Sequence, residues 1–278
     1  MTYPTQTKPY IIAEIGSNIF KDPDDKSKAL DNAYRQIELA RENRADAVKF
    51  QMFTAEELYG PESRGMGFTY KVDRYALPRE WVPHLKEKCD DVGIDFICSA
   101  FSVDGYQYLE PYVKMHKIAS PEVLHPEILG LLATISKPVI WSDGCGDWPM
   151  WVGHFGRGIR MACVSKYPAQ LWEYNPYPRS GEQVWGLSDH TNTFTLAATA
   201  RRNGATYFER HVDFLKDDGV TPDSQVSFNG MDFAVWVSAI RSAEARTGLR
   251  SRDAAAEKYA RRKTEHGWYR PMPEDTTD

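Results

Sequence analysis

Apolar and polar positions along this chain follow two periods, and the two alternate. Short apolar, β-branched runs occur at residues 10–13, 47–50, 95–98, 115–118, 138–141, 159–164, 184–187 and 205–208. Most end in a polar cluster, as strands do when they run out of a core. Between them lie stretches with helical spacing. In 27–43, Ala29, Ala33, Ile37 and Ala40 share one face, and in 231–246 Phe233, Trp236, Val237 and Ile240 do. Further helices are predicted at 80–92 (opened by Pro78), 103–109, 126–134 and 193–202. Residues 54–75 are polar and too long for a simple βα turn, which marks a lid or binding loop. The weakest helical unit is the short aromatic stretch 148–155.

Eight strands, each followed by a helix or a helix-sized connection, use about 240 residues, near the ~250 of a (β/α)8 TIM barrel, an α/β fold. The runner-up is an open doubly wound sheet. That fold usually has a glycine-rich phosphate turn after its first strand, and Glu14-Ile-Gly-Ser-Asn18 is not one. Two regions are expected: a barrel over 1–248 and a charged tail over 249–278.

Composition narrows the classes. The 278 residues carry a net charge of −5, which does not indicate a nucleic-acid partner. No run approaches the ~20 apolar residues of a membrane span. The polar first nine residues lack a signal-peptide core. Cys89, Cys98, Cys145 and Cys163 show no CxxC spacing and read as reduced thiols of a cytoplasmic protein. Of these, Cys145, in a glycine-flanked turn, is the one expected to be reactive.

The chemistry collects where strands end, because the C-terminal mouth of a barrel carries its active site. There lie Glu14, Lys49, Gln51, Ser99, Lys117, Ser120, Glu122, Ser142, Lys166, Tyr167, Ser188, His190, Glu209 and His211. His190 and His211 occupy equivalent positions after neighbouring strands, and imidazole is the commonest ligand of first-row metals. Lys49 and Lys117 interrupt apolar runs. A lysine is costly to bury without an anion, so a phosphate and a carboxylate would suit the pair. Each residue taken alone also fits a structural role, the lysines as internal salt bridges and Glu14 as a helix-capping or structural carboxylate.

Together these segments resemble the N-acetylneuraminate (sialic acid) synthase family over about residues 10–246. The carriers are Ile-Ile-Ala-Glu-Ile-Gly at 11–16, Ala-Asp-Ala-Val-Lys-Phe-Gln at 45–51, and Lys-Ile-Ala-Ser-Pro-Glu at 117–122. To these are added Lys-Pro-Val-Ile at 137–140, Tyr167-Pro168, Gly-Leu-Ser-Asp-His-Thr at 186–191, and Glu-Arg-His at 209–211. The resemblance implies a TIM barrel that condenses phosphoenolpyruvate with an aldehyde sugar and releases phosphate, using a divalent metal. Mn2+ is expected, with Mg2+, Co2+ or Zn2+ as alternatives. By the same resemblance, His190 and His211 are the metal ligands and Glu14 the catalytic carboxylate. Lys49, Ser99, Lys117, Ser120, Ser142 and Ser188 are the phosphoenolpyruvate contacts, with Gln51, Ser165 and Glu209 placed around the substrates. Glu122, Tyr167 and Asp223 meet the acceptor. A homodimer is expected. Two other readings stay open: a synthase-inactive barrel acting as a ligand-binding or scaffold subunit, and a metal-dependent aldolase.

The sequence departs from the family pattern in four places. Ser17-Asn18-Ile19 lacks the histidine usual after the first-strand glycine. Ser165 stands where asparagine is common, with Lys166 as a substitute contact. Asp143 replaces a small threonine. Family synthases also commonly continue into an antifreeze-like domain that gives the acceptor an arginine from the partner. No counterpart is found in these 278 residues, so the acceptor is expected to differ from N-acetylmannosamine, or the latter to bind poorly.

Overall fold

A computed structural model describes residues 8–145, 158–179, 182, 184–215 and 221–243. All belong to one compact unit, Met1–Ala245. The expected helix at 148–155 and the tail at 249–278 lie outside the described residues.

Eight parallel strands form the barrel: β1 Tyr10–Glu14, β2 Ala47–Met52, β3 Asp95–Ala100, β4 His116–Ile118, β5 Val139–Ser142, β6 Gly158–Ala162, β7 Trp185–Asp189 and β8 Tyr207–His211. Their order is β3-β2-β1-β8-β7-β6-β5-β4. Hydrogen-bonded ladders join every neighbouring pair except β3 and β4, which adjoin and complete the ring without one. The doubly wound alternative is thereby set aside. That fold leaves its sheet open, whereas here β1 is laddered to β8 and β3 adjoins β4, so the strands close on themselves.

The helices are α1 Lys26–Glu42, α2 Ala55–Tyr59, α3 Thr69–Asp73, α4 Val82–Val92, α5 Val103–Leu109, α6 Pro126–Thr134, α7 Thr195–Arg202 and α8 Gly230–Ser242. The starts of several are set by side chains that accept orphan amides. Asp25 caps α1 through Lys28 N, Ser102 caps α5 through Gly105 N, and Asn229 caps α8 through Asp232 N. α1 buries Ala29, Ala33, Ile37 and Ala40, the face that its spacing marked, and α8 buries Phe233, Trp236, Val237 and Ile240. The excursion at 54–75 is not irregular. It folds into α2 and α3 around a 3-10 turn, with Thr54 and Glu57 forming a capping box. No α-helix lies among the described residues between β6 and β7, where a single 3-10 turn, Leu171–Glu173, stands instead. No described helix is long and apolar enough to cross a membrane.

Alternation along the strands positions the site. Ile12, Ala47, Ile97, Ile140, Ile159, Met161 and Tyr207 pack together inside the barrel. A second, larger cluster fills the layer between strands and helices. Side chains two residues further along a strand point the same way. Ile12 is therefore followed inside by Glu14, Ala47 by Lys49 and Gln51, Ile97 by Ser99, Ile140 by Ser142, and Tyr207 by Glu209 and His211. The lower interior is apolar and holds the fold, and the upper interior is polar and carries the chemistry.

Candidate active site

Four ionisable side chains interlock in the upper barrel, all at most 4% exposed: Glu14, Lys49, Lys117 and Glu209. Lys49 Nζ contacts Glu14 Oε2 directly and lies 3.7 Å from Glu209 Oε2. Lys117 Nζ lies 3.5 Å from Glu209 Oε1 and donates to Ser142 Oγ at 2.8 Å. Ser188 Oγ donates to Glu209 Oε1 at 2.9 Å, and Gln51 Nε2 donates to Glu14 Oε1 at 3.0 Å. Glu209 is thus the shared counter-ion of two lysines. Burial alone would raise its pKa, but Lys117, Lys49 and the Ser188 hydroxyl hold it down at about 2. Glu14 goes the other way. Burial, with repulsion from Glu209, outweighs Lys49 and lifts it to about 7. Burial depresses Lys49 as well, yet Glu14 and Glu209 more than reverse that. Lys117, whose nearest carboxylate is 3.5 Å away, is left with a lowered pKa, chiefly from burial.

The two imidazoles stand beside this chain of charges. Their ring centroids are 5.4 Å apart, and Tyr167 stacks on His190 at 4.5 Å and meets His211 edge-on at 5.5 Å. His190 Nδ1 donates to the Val164 carbonyl at 2.7 Å, which leaves its lone pair on Nε2. His211 is neutral, pushed down to about 3 chiefly by burial, and its Nδ1 has no hydrogen-bond partner. Asp223 Oδ1 lies 3.5 Å from that nitrogen. Among the described residues, no group of three or more His, Cys, Asp and Glu is arranged to hold a metal ion. Two imidazoles with nitrogen lone pairs nonetheless fit a divalent cation of borderline hardness that keeps open positions.

Where the family pattern has a histidine, the first-strand turn of this chain binds the Asp223 segment. Gly16 has φ +51°, and a Cβ there would lie 2.5 Å from Asp223 Oδ2 and 2.8 Å from Glu14 Oε1. Only glycine gives both the conformation and the room. Ser17 then donates its N–H (2.8 Å) and Oγ–H (2.6 Å) to Asp223 Oδ2. Asn18 donates to Val212 O and Ser227 Oγ and accepts from Thr221. Ser17 and Asn18 therefore tie the end of β1 to the segment that carries Asp223.

A second cluster sits across the mouth. Ser120 Oγ accepts from Gly144 N at 3.3 Å, and a Cβ on Gly144 would collide with Ser165 Oγ and lie 2.8 Å from Ser120 Oγ. Ser120, Gly144 and Ser165 thus form one small polar hollow. Ser99 Oγ is fully buried without a partner, and so is Glu122 Oε2. Unpaired buried polar atoms are rare and point to a missing ligand or water.

The arrangement matches a known family. The model of the NeuB family fits residues 36–252. The chain belongs to the NeuB family. It is 32% identical to the spore coat polysaccharide biosynthesis protein SpsE of Bacillus subtilis, over 85% of this chain and 68% of that one. It is 27% identical to a pseudaminic acid synthase of Campylobacter jejuni, over 88% of this chain and 76% of that one. The structure of an N-acetylneuraminic acid synthetase from Leptospira borgpetersenii superposes with a TM-score of 0.75 at 24% identity, covering 94% of this chain and 93% of that one. At that identity it supports the barrel fold alone.

Every site residue expected in this NeuB-family chain is described, and the structure adds others. Lys166, the expected substitute contact, instead pairs with Glu173 at 2.9 Å, more than half exposed. Asp143 points outward. Its carboxylate takes Arg160 at 2.8 Å, Arg179 at 2.9 Å and the Cys163 amide at 2.8 Å, and Arg160 is also gripped by Glu182. These ion pairs line a cavity of about 380 Å3 on the outer side of β6 and explain how a carboxylate replaced a small threonine. Cys145 Sγ lies 3.4 Å from Ser165 Oγ, and among the other thiols Cys163 stands out. Burial would raise Cys163, but its neighbour His190, at 3.9 Å, and Ser120 bring it below the ordinary value, while Cys89 and Cys98 are buried and pushed up. No local sequence signal marks Cys163, because its neighbours come from other strands.

Glu122 offers a stability test. Burial lifts its carboxyl to about 7, against weaker opposition from its own backbone and Lys117. The folded chain therefore holds this proton more tightly than the unfolded chain. Its contribution is full below the unfolded value near 4.5 and is lost as pH rises through about 7. Up to about 3 kcal/mol is involved. Glu122→Gln should melt with less pH dependence than wild type between pH 5 and 8. Parallel melting curves for the two proteins would show that another group titrates.

Proposed function

We propose that this chain joins phosphoenolpyruvate to an open-chain aldehyde sugar and releases phosphate. The observation that carries this reading is the buried Glu14–Lys49–Glu209–Lys117 chain beside the His190–His211 pair at one barrel mouth. Its relatives include a named pseudaminic acid synthase and a human N-acetylneuraminate-9-phosphate synthase, which favours a sugar acceptor of that kind.

The substrate anion needs cations and hydroxyl donors in a dry site. Lys49 and Lys117 supply the first. Buried Ser99, Ser120, Ser142 and Ser188 supply the second, and Ser165, exposed at the rim, adds a hydroxyl where Gly144 leaves room beside Ser120. Held there, the enol C3 attacks the aldehyde carbon, forming the new C–C bond as the carbonyl oxygen takes up the electron pair. Water adds at C2, and phosphate leaves with the C2–O electrons. Glu14, with a pKa near 7, is suited to take a proton from that water, and Gln51 holds its other oxygen in place. Glu122 and Tyr167 face the acceptor side, and Asp223 approaches it from the β8 segment. A divalent cation held by His190 and His211, Mn2+ in this reading, would supply Lewis acidity for the charge developing on the aldehyde oxygen.

The experiment is direct. The purified protein is incubated with Mn2+, phosphoenolpyruvate and a panel of aldoses that includes N-acetylmannosamine, and phosphate is measured with and without each aldose. Aldose-dependent phosphate release is the expected result. Binding of phosphoenolpyruvate without release for any aldose would return the chain to the scaffold reading.

A further inference from the structure

We infer that the buried Asp189–Arg210 ion pair is a positioning device that fixes the distance between the two imidazoles; this rests on the metal-centre reading above. Asp189 immediately precedes His190, and Arg210 immediately precedes His211. The register of β7 against β8 pairs Ser188 with Glu209 and Asp189 with Arg210. Alternation turns Ser188, Glu209 and both histidines into the barrel and the ion pair outward. The same two strand ends are therefore pinned on both faces, by Ser188 Oγ on Glu209 at 2.9 Å inside and by Arg210 Nη1 on Asp189 Oδ1 at 3.0 Å outside.

Both residues of the outer pair are fully buried. Asp189 is saturated: it also accepts Thr191 N (2.9 Å), Thr191 Oγ1 (2.8 Å) and Trp236 Nε1 (3.2 Å). Arg210 reaches onward, to the Val226 carbonyl at 3.5 Å and over the Phe228 ring, 3.5 Å from its centroid. One guanidinium thus touches the strand end that bears His190, the strand that bears His211, and the segment that follows Asp223. Stability alone does not account for it, because apolar residues of similar volume commonly serve as well as a buried ion pair. The Asp189 carboxylate is held by three further donors and so is fixed in place, whereas apolar contacts can slide. A slip of one residue between these strands would also turn the histidines out of the barrel. β7 ends at Asp189, so His190 lies just past its last ladder residue and depends on this anchor more than a mid-strand residue would.

The test is Mn2+ titration by calorimetry on wild type, His190→Ala, Asp189→Asn, Arg210→Lys, Arg210→Met and the double variant Asp189→Leu/Arg210→Met, with circular-dichroism melts of each. Outer partners of metal ligands commonly set ~10–100-fold in affinity. Arg210→Met and the double variant should lose Mn2+ affinity on that scale, while the double melts no lower than wild type and binds phosphoenolpyruvate as tightly. Arg210→Lys, which keeps a cation on Asp189, should recover most of the affinity that Met loses. A stable double variant that binds Mn2+ like wild type would overturn the inference. If the Met variants do not fold, Asp189→Asn, which removes the charge and keeps the shape, decides, and wild-type Mn2+ affinity in that variant overturns the inference as well. A wild type that binds no Mn2+, or a His190→Ala variant that binds it equally well, sinks the metal-centre reading and the inference with it.

Discussion

His190→Ala and His211→Ala should each strip the protein of most of its Mn2+ while the barrel persists. In the proposed site each imidazole is one of two histidine ligands, so its loss would remove half of the nitrogen donors that the proposal gives the ion. Neither ring is part of the apolar interior formed by Ile12, Ile97, Ile140 and their neighbours. His211 is already neutral in the fold, so its replacement breaks no ion pair. His190 gives up its bond to Val164 and its stacking on Tyr167, which should cost about 1–2 kcal/mol of stability. The expected result is at least a 100-fold fall in metal affinity in each variant, about 2.7 kcal/mol. Elemental analysis after gel filtration checks it. Full metal content in both variants would refute the assignment.

The second large effect separates the two lysines. Lys117→Met should weaken phosphoenolpyruvate binding by about 10–100-fold, the scale of one charge-assisted hydrogen bond in a dry site. Lys117 lies 3.5 Å from its nearest carboxylate and has a lowered pKa, so an arriving anion gains most there. Lys49→Met should lower affinity and also the catalytic rate. Its ammonium is the direct partner of Glu14, and without it Glu14 would rise further above 7 and stay protonated at neutral pH. A water-activating carboxylate would then be lost along with a substrate contact. Calorimetry for affinity and steady-state kinetics for kcat check the pair. Equal loss in affinity with unchanged kcat for both variants would remove the distinction.

Much of this was legible in the sequence because strand ends carry their own signature. Apolar alternation gave the barrel, and the residues that broke it, Lys49, Lys117 and Glu209, proved to be the interior charges. Helix faces in α1 and α8 were readable from spacing alone, and α5 and α6 start where the Ser102 cap and Pro126 place them. What stayed hidden depends on pairings between distant strands. Asp143 reads as a departure until Arg160, seventeen residues on, is seen to neutralise it. Cys163 reads as an ordinary buried thiol until His190 is placed beside it. The 54–75 stretch looked irregular because α2 and α3 are too short to show a period. Asp223 could be placed by motif, but its grip by Ser17 at the end of the neighbouring strand could not.

The seam between β3 and β4 has a consequence for how this barrel opens. With no ladder between them, the facing amides of these two strands are protected by packing alone. They should exchange with deuterium sooner than those of β1 or β8, which are laddered on both sides. Ser99 sits on one lip of the seam and Lys117 on the other. A substrate anion held by both would act as a stitch, and the slowing of exchange along β3 and β4 would report how tightly it is drawn.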